Sequence, residues 1–258
     1  MGYRIDELRK SLRPTRLYWL TRVGSTSSWA MQRRRGRKLF APAIVLAGRQ
    51  TAGRGSNGRT WLSPHGVMTA TFVYPPVESL DPHLLPLAAG IAVRDAIAHA
   101  TGVEAGLKWP NDLWIDDRKV AGLLCERIDG VDLIGVGINA NLDPSDLPKH
   151  LRTQTCSLMM HASQHIDMTT LVRAIAGTLN EMLLKRPPST AGLLTAYARH
   201  HVLTGRCVRV VSDAFDGGAM DGTCEGVDRL GRLLVRTPAQ THALVSGTVR
   251  PLTSASSS

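Results

Sequence analysis

Cysteine is scarce in this chain of 258 residues. The thiols of Cys125, Cys156, Cys207 and Cys224 stand far apart and form no C-x-x-C pair. Such spacing gives neither zinc-ligand geometry nor the disulfide framework of a small secreted domain. Buried free thiols in a reducing compartment are expected instead. Long apolar runs are missing too, since none approaches the roughly 18–20 residues of a membrane-spanning helix. The opening Met1-Gly2-Tyr3-Arg4-Ile5-Asp6-Glu7 has no apolar stretch behind its charges, so no secretory signal is read there. Asp6 stands where a myristoylated Gly2 would need Ser or Thr. A cytoplasmic location follows as the expectation. Aromatic residues make up 5% of the chain, too few to line a nucleic-acid stacking surface.

What is plentiful is arginine and apolar side chains. Hydrophobic residues reach 43%, enough to bury a sizeable core in one large domain or a large and a small one. The formal net charge of +10 points to an anionic ligand, substrate or nucleic acid. The densest basic run, Arg33-Arg34-Arg35-Gly36-Arg37-Lys38, reads as the end of a helix, where cations complement the dipole.

Between Ala47 and Ser63 lies an arginine–glycine loop without an acidic residue. Gly53, Gly55 and Gly58 let the backbone approach a ligand closely, and Arg54 and Arg59 bring forked cationic donors. This chemistry suits oxyanions, above all phosphate. The same glycines match G-x-G-x-x-G, but a dinucleotide site needs a helix to follow and an acidic residue about 20 positions on. Pro64 and Gly66 punctuate the segment that follows, and the first carboxylate, Glu78, comes after Pro75-Pro76. A dinucleotide fold is therefore not expected.

Leu17–Leu20, Ala43–Gly48 and Val67–Tyr74 read as strands, with Ser25 or Thr26 capping a helix that runs toward Arg35. Pro86–Thr101 reads as an amphipathic helix stopped by Gly102. Gly106–Trp109, Leu113–Ile115, Val120–Ile128 and Leu133–Ile138 are joined by tight turns, including Asp129-Gly130, and predict an antiparallel or mixed sheet. Pro144 to Gln164 reads as polar loop, and Met168–Lys185 and Ser189–His200 as helices. From Thr204 the texture shifts to short strands at Cys207–Val211, Ala219–Val227, Arg232–Val235 and Thr241–Val249, the pattern of a small β-barrel or sandwich. The expected division is 1–203 and 204–253, followed by a disordered serine-rich tail, 254–258.

Three further segments add chemistry to the loop. Ser25-Thr26 sits where a strand gives way to a helix, Lys108-Trp109-Pro110-Asn111-Asp112 sets a lysine at a strand end, and Gly135–Asn141 ends a strand with glycines and two amides. Together they imply a cation-rich, acid-poor pocket. Gly53-Arg54-Gly55, Gly58-Arg59-Thr60-Trp61, Lys108-Trp109-Pro110-Asn111-Asp112-Leu113, Lys119-Val120-Ala121-Gly122-Leu123-Leu124 and Gly135–Asn139 resemble, in order and spacing, the biotin–protein ligases. The resemblance covers residues 17–250.

The resemblance implies an α+β (α/β) fold. A mixed sheet with flanking helices would form a class II aminoacyl-tRNA-synthetase-like catalytic domain, followed by an SH3-like barrel. It implies activation of biotin by MgATP as biotinyl-adenylate, then transfer to a lysine of a biotin carboxyl carrier domain. Attack of an anion on a polyanion needs cations aimed at the developing charge. By resemblance, Ser25, Thr26, Ser27 and Gln50 belong to the biotin side, and Arg54, Gly55 and Ser56 to the carboxylate and phosphate end. Gly122 would let the biotin rings lie against a strand. Lys108 is implied as the lysine bridging carboxylate and α-phosphate, with Arg59, Trp61 and Asn139 toward the nucleotide. No dedicated metal cluster is implied, and Mg²⁺ would arrive with ATP.

Ser56 and Ser27 depart from the family pattern, which usually has arginine and asparagine there; the first predicts faster loss of the adenylate. Some sixteen residues precede the first strand, too few for the DNA-binding domain of the family's bifunctional members. A monofunctional ligase, monomer or homodimer, with neither nucleic acid nor membrane among its partners, is the expectation. The alternatives are a lipoate or octanoyl ligase or transferase on the same fold, a nucleic-acid-binding protein, and a ligase that binds biotin without turnover.

Overall fold

Apolar runs bounded by turn residues form the centre of the molecule. The computed structural model describes residues 2–212 and 218–252, so the serine-rich tail expected to be disordered lies outside the described residues. The first strands are β1 (Arg16–Leu20), β2 (Ala43–Ala47), β3 (Gly53–Arg54), β4 (Thr60–Trp61), β5 (Val67–Tyr74), β6 (Gly106–Lys108), β7 (Asp112–Ile115), β8 (Arg118–Ile128) and β9 (Val131–Asn139). Seven of them build one sheet in the order β1-β2-β5-β9-β8-β7-β6, and β3 and β4 pair as a separate ribbon. Only β1 and β2 run parallel; the other neighbours are antiparallel. Asp129-Gly130, with φ of 46° and 72°, makes the tight turn that joins β8 to β9. The mixed sheet predicted from the hairpin signals is present.

Register decides which residues share a face. Ala47, Thr69, Gly137, Gly122, Asp112 and Lys108 lie opposite one another in a row across the sheet. A β-bulge interrupts that regularity: Leu113 faces Ala121, whereas Trp114 faces Lys119, so Val120 is the extra residue on β8. A bulge turns the residues beyond it to the other face. Lys119 thereby joins Gly122 and Asp112 on one side of the sheet.

The helices are α1 (Ile5–Ser11), α2 (Thr26–Arg35), α3 (Leu85–Thr101), α4 (Lys149–Arg152), α5 (Met159–Ala162), α6 (Met168–Asn180) and α7 (Thr190–His200). α3 is not the one-sided helix its sequence pattern predicts. It packs against both the sheet and α6, and Leu85, Ala88, Ala92 and Ala96 are as buried as Ile91 and Ile97. Small side chains all round let two layers close over it. α2 lies across β5 and β9. The N-terminal segment, to which the sequence reading assigned no element, forms α1, anchored through buried Leu8. One expectation needs correction: the polar stretch 144–164 contains the short helices α4 and α5, held by buried Cys156, Ser157 and Leu158.

The C-terminal strands are β10 (Cys207–Val211), β11 (Ala219–Val227), β12 (Leu233–Arg236), β13 (Thr241–Leu244) and β14 (Thr248–Pro251), in the antiparallel order β13-β12-β11-β10-β14. The single strand expected over Thr241–Val249 is two strands, separated at Val245-Ser246-Gly247. The core does not break near residue 203. Val208, Val210, Leu233 and Val235 belong to the same buried cluster as Leu107, Trp109 and Ile138. Val202 N–H donates to Leu107 O at 2.9 Å, and Trp109 Nε1 to Gly231 O at 3.0 Å. All four cysteines are free thiols, but Cys207 is exposed and Cys125 half-buried, against the expectation that all are interior.

Candidate active site

The α2 N-terminus opens onto the row face of the sheet. Ser25 is its N-cap, accepting from Ser28 N–H at 3.3 Å, an arrangement that stabilises a helix by about 1 kcal/mol. The next hydroxyls form a directed chain. Ser27 Oγ lies 3.0 Å from Thr71 Oγ1, which donates to Thr26 Oγ1 at 2.9 Å. Thr26 donates twice to Gln50 Oε1, from N–H at 2.7 Å and from Oγ1 at 3.0 Å. These side chains are buried, and the network fixes which end of the Gln50 amide is oxygen. The expected cluster of Ser25, Thr26, Ser27 and Gln50 is therefore assembled, lining a cavity of about 420 Å³ including its mouth.

Glycines form the cavity floor. A Cβ on Gly135 would come within 2.8 Å of Ser27 Oγ, and one on Gly122 within 2.9 Å of Lys119 Nζ. A Cβ on Gly137 would fall inside the indole of Trp61, which lies across this part of the sheet. Trp61 Nε1 and Thr69 Oγ1 both line the cavity, are buried, and have no protein partner. Buried polar hydrogens are normally satisfied, so these two are available to a ligand or to ordered water.

The cations are arranged differently from the expectation. Lys119 lines the cavity, with Nζ 5.5 Å from the centre of the Trp61 ring. Lys108 does not. It is 7% exposed and sits one carboxylate away, its Nζ 3.7 Å from Asp112 Oδ2, while Asp112 Oδ1 accepts from Lys119 Nζ at 2.5 Å. Burial pushes the Lys108 ammonium pKa down to about 8; Asp112 opposes that shift, and Lys119, Arg59 and Arg250 add to it. The bulge at Val120 brings Lys119 to the cavity face, beside Asp112 and Lys108. The bulge is itself pinned: Lys119 O accepts from Cys156 N–H at 3.0 Å and from Asn139 Nδ2 at 3.3 Å. Asn139, expected at the nucleotide, spends its amide nitrogen on Lys119 O and Cys156 O and does not line the cavity.

The loop cations are also engaged. Arg54 lines the cavity and makes a two-pronged contact with Glu126, at 2.6 and 3.1 Å. Arg59 turns back on Ser56, donating to its carbonyl at 3.2 Å and to Oγ at 3.0 Å, and does not line the cavity. Gly55 and Ser56 do line it. Among the described residues no Asp or Glu lines the cavity, as expected, although Asp112 and Glu126 each contact a cation that does. Asn111 is a lining residue that the sequence reading gave no role; its Nδ2 donates to Leu123 O at 2.7 Å. Among the described residues, no group of three or more His, Cys, Asp or Glu is placed to hold a metal ion.

The comparisons converge on one family. A bifunctional ligase/repressor, BirA, of Bacillus subtilis is 36% identical over 140 residues, covering 51% of this chain and 43% of the relative. A biotin–[acetyl-CoA-carboxylase] ligase of Paracoccus denitrificans is 40% identical over 129 residues, 48% of this chain and 53% of the relative. The chain thus spans about half the length of these curated relatives. A biotin–[acetyl-CoA-carboxylase] ligase of Mycobacterium tuberculosis is 27% identical over 89% of this chain and 86% of its own. The biotin protein ligase of Aquifex aeolicus, solved in complex with biotin and ATP, superposes with a TM-score of 0.75 at 26% identity, covering 92% of this chain and 99% of that one. Residues 19–143, which carry the hydroxyl chain, the glycine floor, the arginine loop and both lysines, match the model of the biotin/lipoate A/B protein ligase family.

Proposed function

We propose that this chain is an ATP-dependent ligase that activates biotin as biotinyl-adenylate and transfers it to a lysine of a biotin carboxyl carrier domain. The observation that carries the reading is one cavity lined both by hydrogen-bonding hydroxyls and an amide, Ser25, Thr26, Ser27 and Gln50, and by the cations Lys119 and Arg54. A ureido group suits the hydroxyls and the amide, a flat ring system suits the glycine floor, and a carboxylate suits the cations. The biotin carboxylate attacks the α-phosphorus of MgATP and pyrophosphate leaves; the acceptor amine then attacks the acyl carbon and AMP leaves. Lys119 and Lys108, which share Asp112, are the ammonium groups placed to neutralise charge at the first step. Arg54 would leave Glu126 for the ligand, and Arg59 would leave Ser56 for the nucleotide.

The C-terminal five-stranded sheet we read as the SH3-like barrel, and 1–203 as the catalytic domain. Change of architecture after α7 supports that division. The basic run at the α2 end serves the helix rather than nucleic acid: Arg33 lies 4.9 Å from the Trp29 ring centre, and Arg34 donates to Asp129 O at 2.7 and 2.9 Å. Free thiols are consistent with a cytoplasmic enzyme, and among the described residues no helix is long and apolar enough to cross a membrane. Incubation with biotin, MgATP and a carrier domain, followed by intact mass of the carrier, tests the reading. A biotinyl mass increment is expected, and labelling by lipoate alone would transfer the chain to the lipoate branch.

A further inference from the structure

The hairpin that carries Lys119 extends beyond the ladder of its own sheet. β9 pairs with β8 only from Ala121 onward, so Arg118, Lys119 and Val120 have no neighbour in β9. On that side Lys119 N–H donates to Gln154 O at 2.8 Å, and Lys119 O accepts from Cys156 N–H at 3.0 Å. These bonds fix one peptide and leave the tip of the hairpin free to tilt. Asp116 and Asp117 form the tip, with φ of 48° and 59°, the left-handed pair that a two-residue hairpin turn requires. The tip is held from elsewhere. Arg206, just before β10, grips the Asp117 carboxylate with two bonds, Nη1 to Oδ1 at 2.5 Å and Nη2 to Oδ2 at 2.8 Å. A forked contact of this kind fixes orientation as well as distance. The Arg206 guanidinium also holds the Asp117 carboxyl below the usual carboxylate range, so the pair is charged at neutral pH.

Arg206 is itself anchored. Its N–H donates to Leu203 O at 3.0 Å, and its carbonyl accepts from Cys224 N–H on β11 at 2.9 Å, which ties it to the C-terminal sheet. Four residues earlier, Val202 lies along the outer edge of β6, where a Cβ on Gly106 would strike its side chain. With the Trp109–Gly231 bond, the chain from Val202 onward holds the β6–β8 segment at three points. Two residues of strand span only about 7 Å, so a shift at Asp117 is passed on to Lys119. We propose that Arg206 is a positioning residue for adenylate formation: through Asp117 it fixes the tilt of the β7–β8 hairpin from the C-terminal side, and so keeps Lys119 at its place in the cavity. The catalytic consequence rests on the ligase reading, whereas the restraint on the hairpin does not. The pair stands near the surface, with side-chain exposures of 35% for Arg206 and 56% for Asp117, while Trp109 is buried. It can therefore be removed without opening the core.

The test compares Arg206→Ala, the single reversals Arg206→Asp and Asp117→Arg, and the swapped pair carrying both, in the full chain. Adenylate formation is read as pyrophosphate release in a single turnover with biotin and MgATP, biotin affinity by calorimetry, and hairpin order by amide hydrogen exchange over residues 112–124. Arg206→Ala is expected to slow adenylate formation by about fivefold or more, because a small displacement of a charge-stabilising group is costly. Biotin affinity should stay within about twofold. The melting midpoint should stay within about 3 °C, as for an exposed ion pair. Amides of the hairpin should exchange faster while those of β5 are unchanged. Each reversal should be slower than wild type, and the swapped pair should regain most of the rate that either one loses. A rate for Arg206→Ala within about twofold of wild type, a rate loss matched by an equal loss of biotin affinity, or a swapped pair no faster than the single reversals overturns the proposal. Wild-type protein that forms no adenylate from biotin removes the ligase reading. Faster hairpin exchange in Arg206→Ala would then still establish the restraint, and unchanged exchange would end that as well.

Discussion

The cations of the arginine loop and those of the sheet carry the same charge in different surroundings. Arg54 retains 40% of its side-chain exposure and Arg59 is exposed, each tied to a partner it can leave, Glu126 or Ser56. Lys119 and Lys108 rise from β-strands, with 30% and 9% of their side chains exposed, and share Asp112. Charges near solvent are screened by water and salt, whereas partly buried ones act at lower effective dielectric and need no reorganisation when charge develops. The loop is therefore built to capture anions and the sheet to act on them.

The comparison can be broken most directly at Lys119. Lys119→Met should lower the adenylation rate by roughly 10²–10³, with a much smaller effect on biotin affinity, measured as pyrophosphate release in a single turnover. A drop under tenfold would place the chemistry on the loop instead. The next effect separates the regions by pH. His201 stays neutral in the fold to about pH 4, whereas an unfolded histidine takes up a proton near pH 6.5. Stability contributed by the neutral ring is thus complete above about pH 6.5 and lost as pH falls toward 4, so urea unfolding at about pH 5 should show roughly 2 kcal/mol less stability than at neutral pH. His201→Gln should flatten that slope. On the loop side, Ser56→Arg should slow adenylate release by up to about tenfold, both by adding a guanidinium and by removing the Ser56 Oγ that holds Arg59. Smallest is Glu126→Gln, which removes an exposed ion pair and should change stability by less than about 1 kcal/mol. It should also make ligand capture by Arg54 more sensitive to salt, because no competing ion pair then offsets the screening, as read from biotin binding in low and high chloride.

Legibility in the sequence followed the same line. Strands β5 and β2, the cap at Ser25, the hairpin at Asp129-Gly130 and the arginine loop depend on local patterns, and local patterns are what a chain displays. The hydroxyl end of the site was legible for that reason. Lys119 was given no role in the sequence, because alternation alone puts it on the wrong face. Only the paired register of β7 and β8, a property of two segments, reveals the inserted Val120. Asn139 misled for a similar reason: its partners, Lys119 O and Cys156 O, come from two other stretches of chain. The carboxylates were overlooked because Glu126 and Asp112 are distant in sequence from the loop they border.

The irregularity at Val120 means that the site is specified by a count as well as by residue types. A relative could keep both lysines, Asp112 and every glycine, yet lose one residue between positions 119 and 122. Its spelling would look intact while the ammonium group pointed away from the chamber. Spacing in this hairpin is therefore as diagnostic of a working member as any side chain in it.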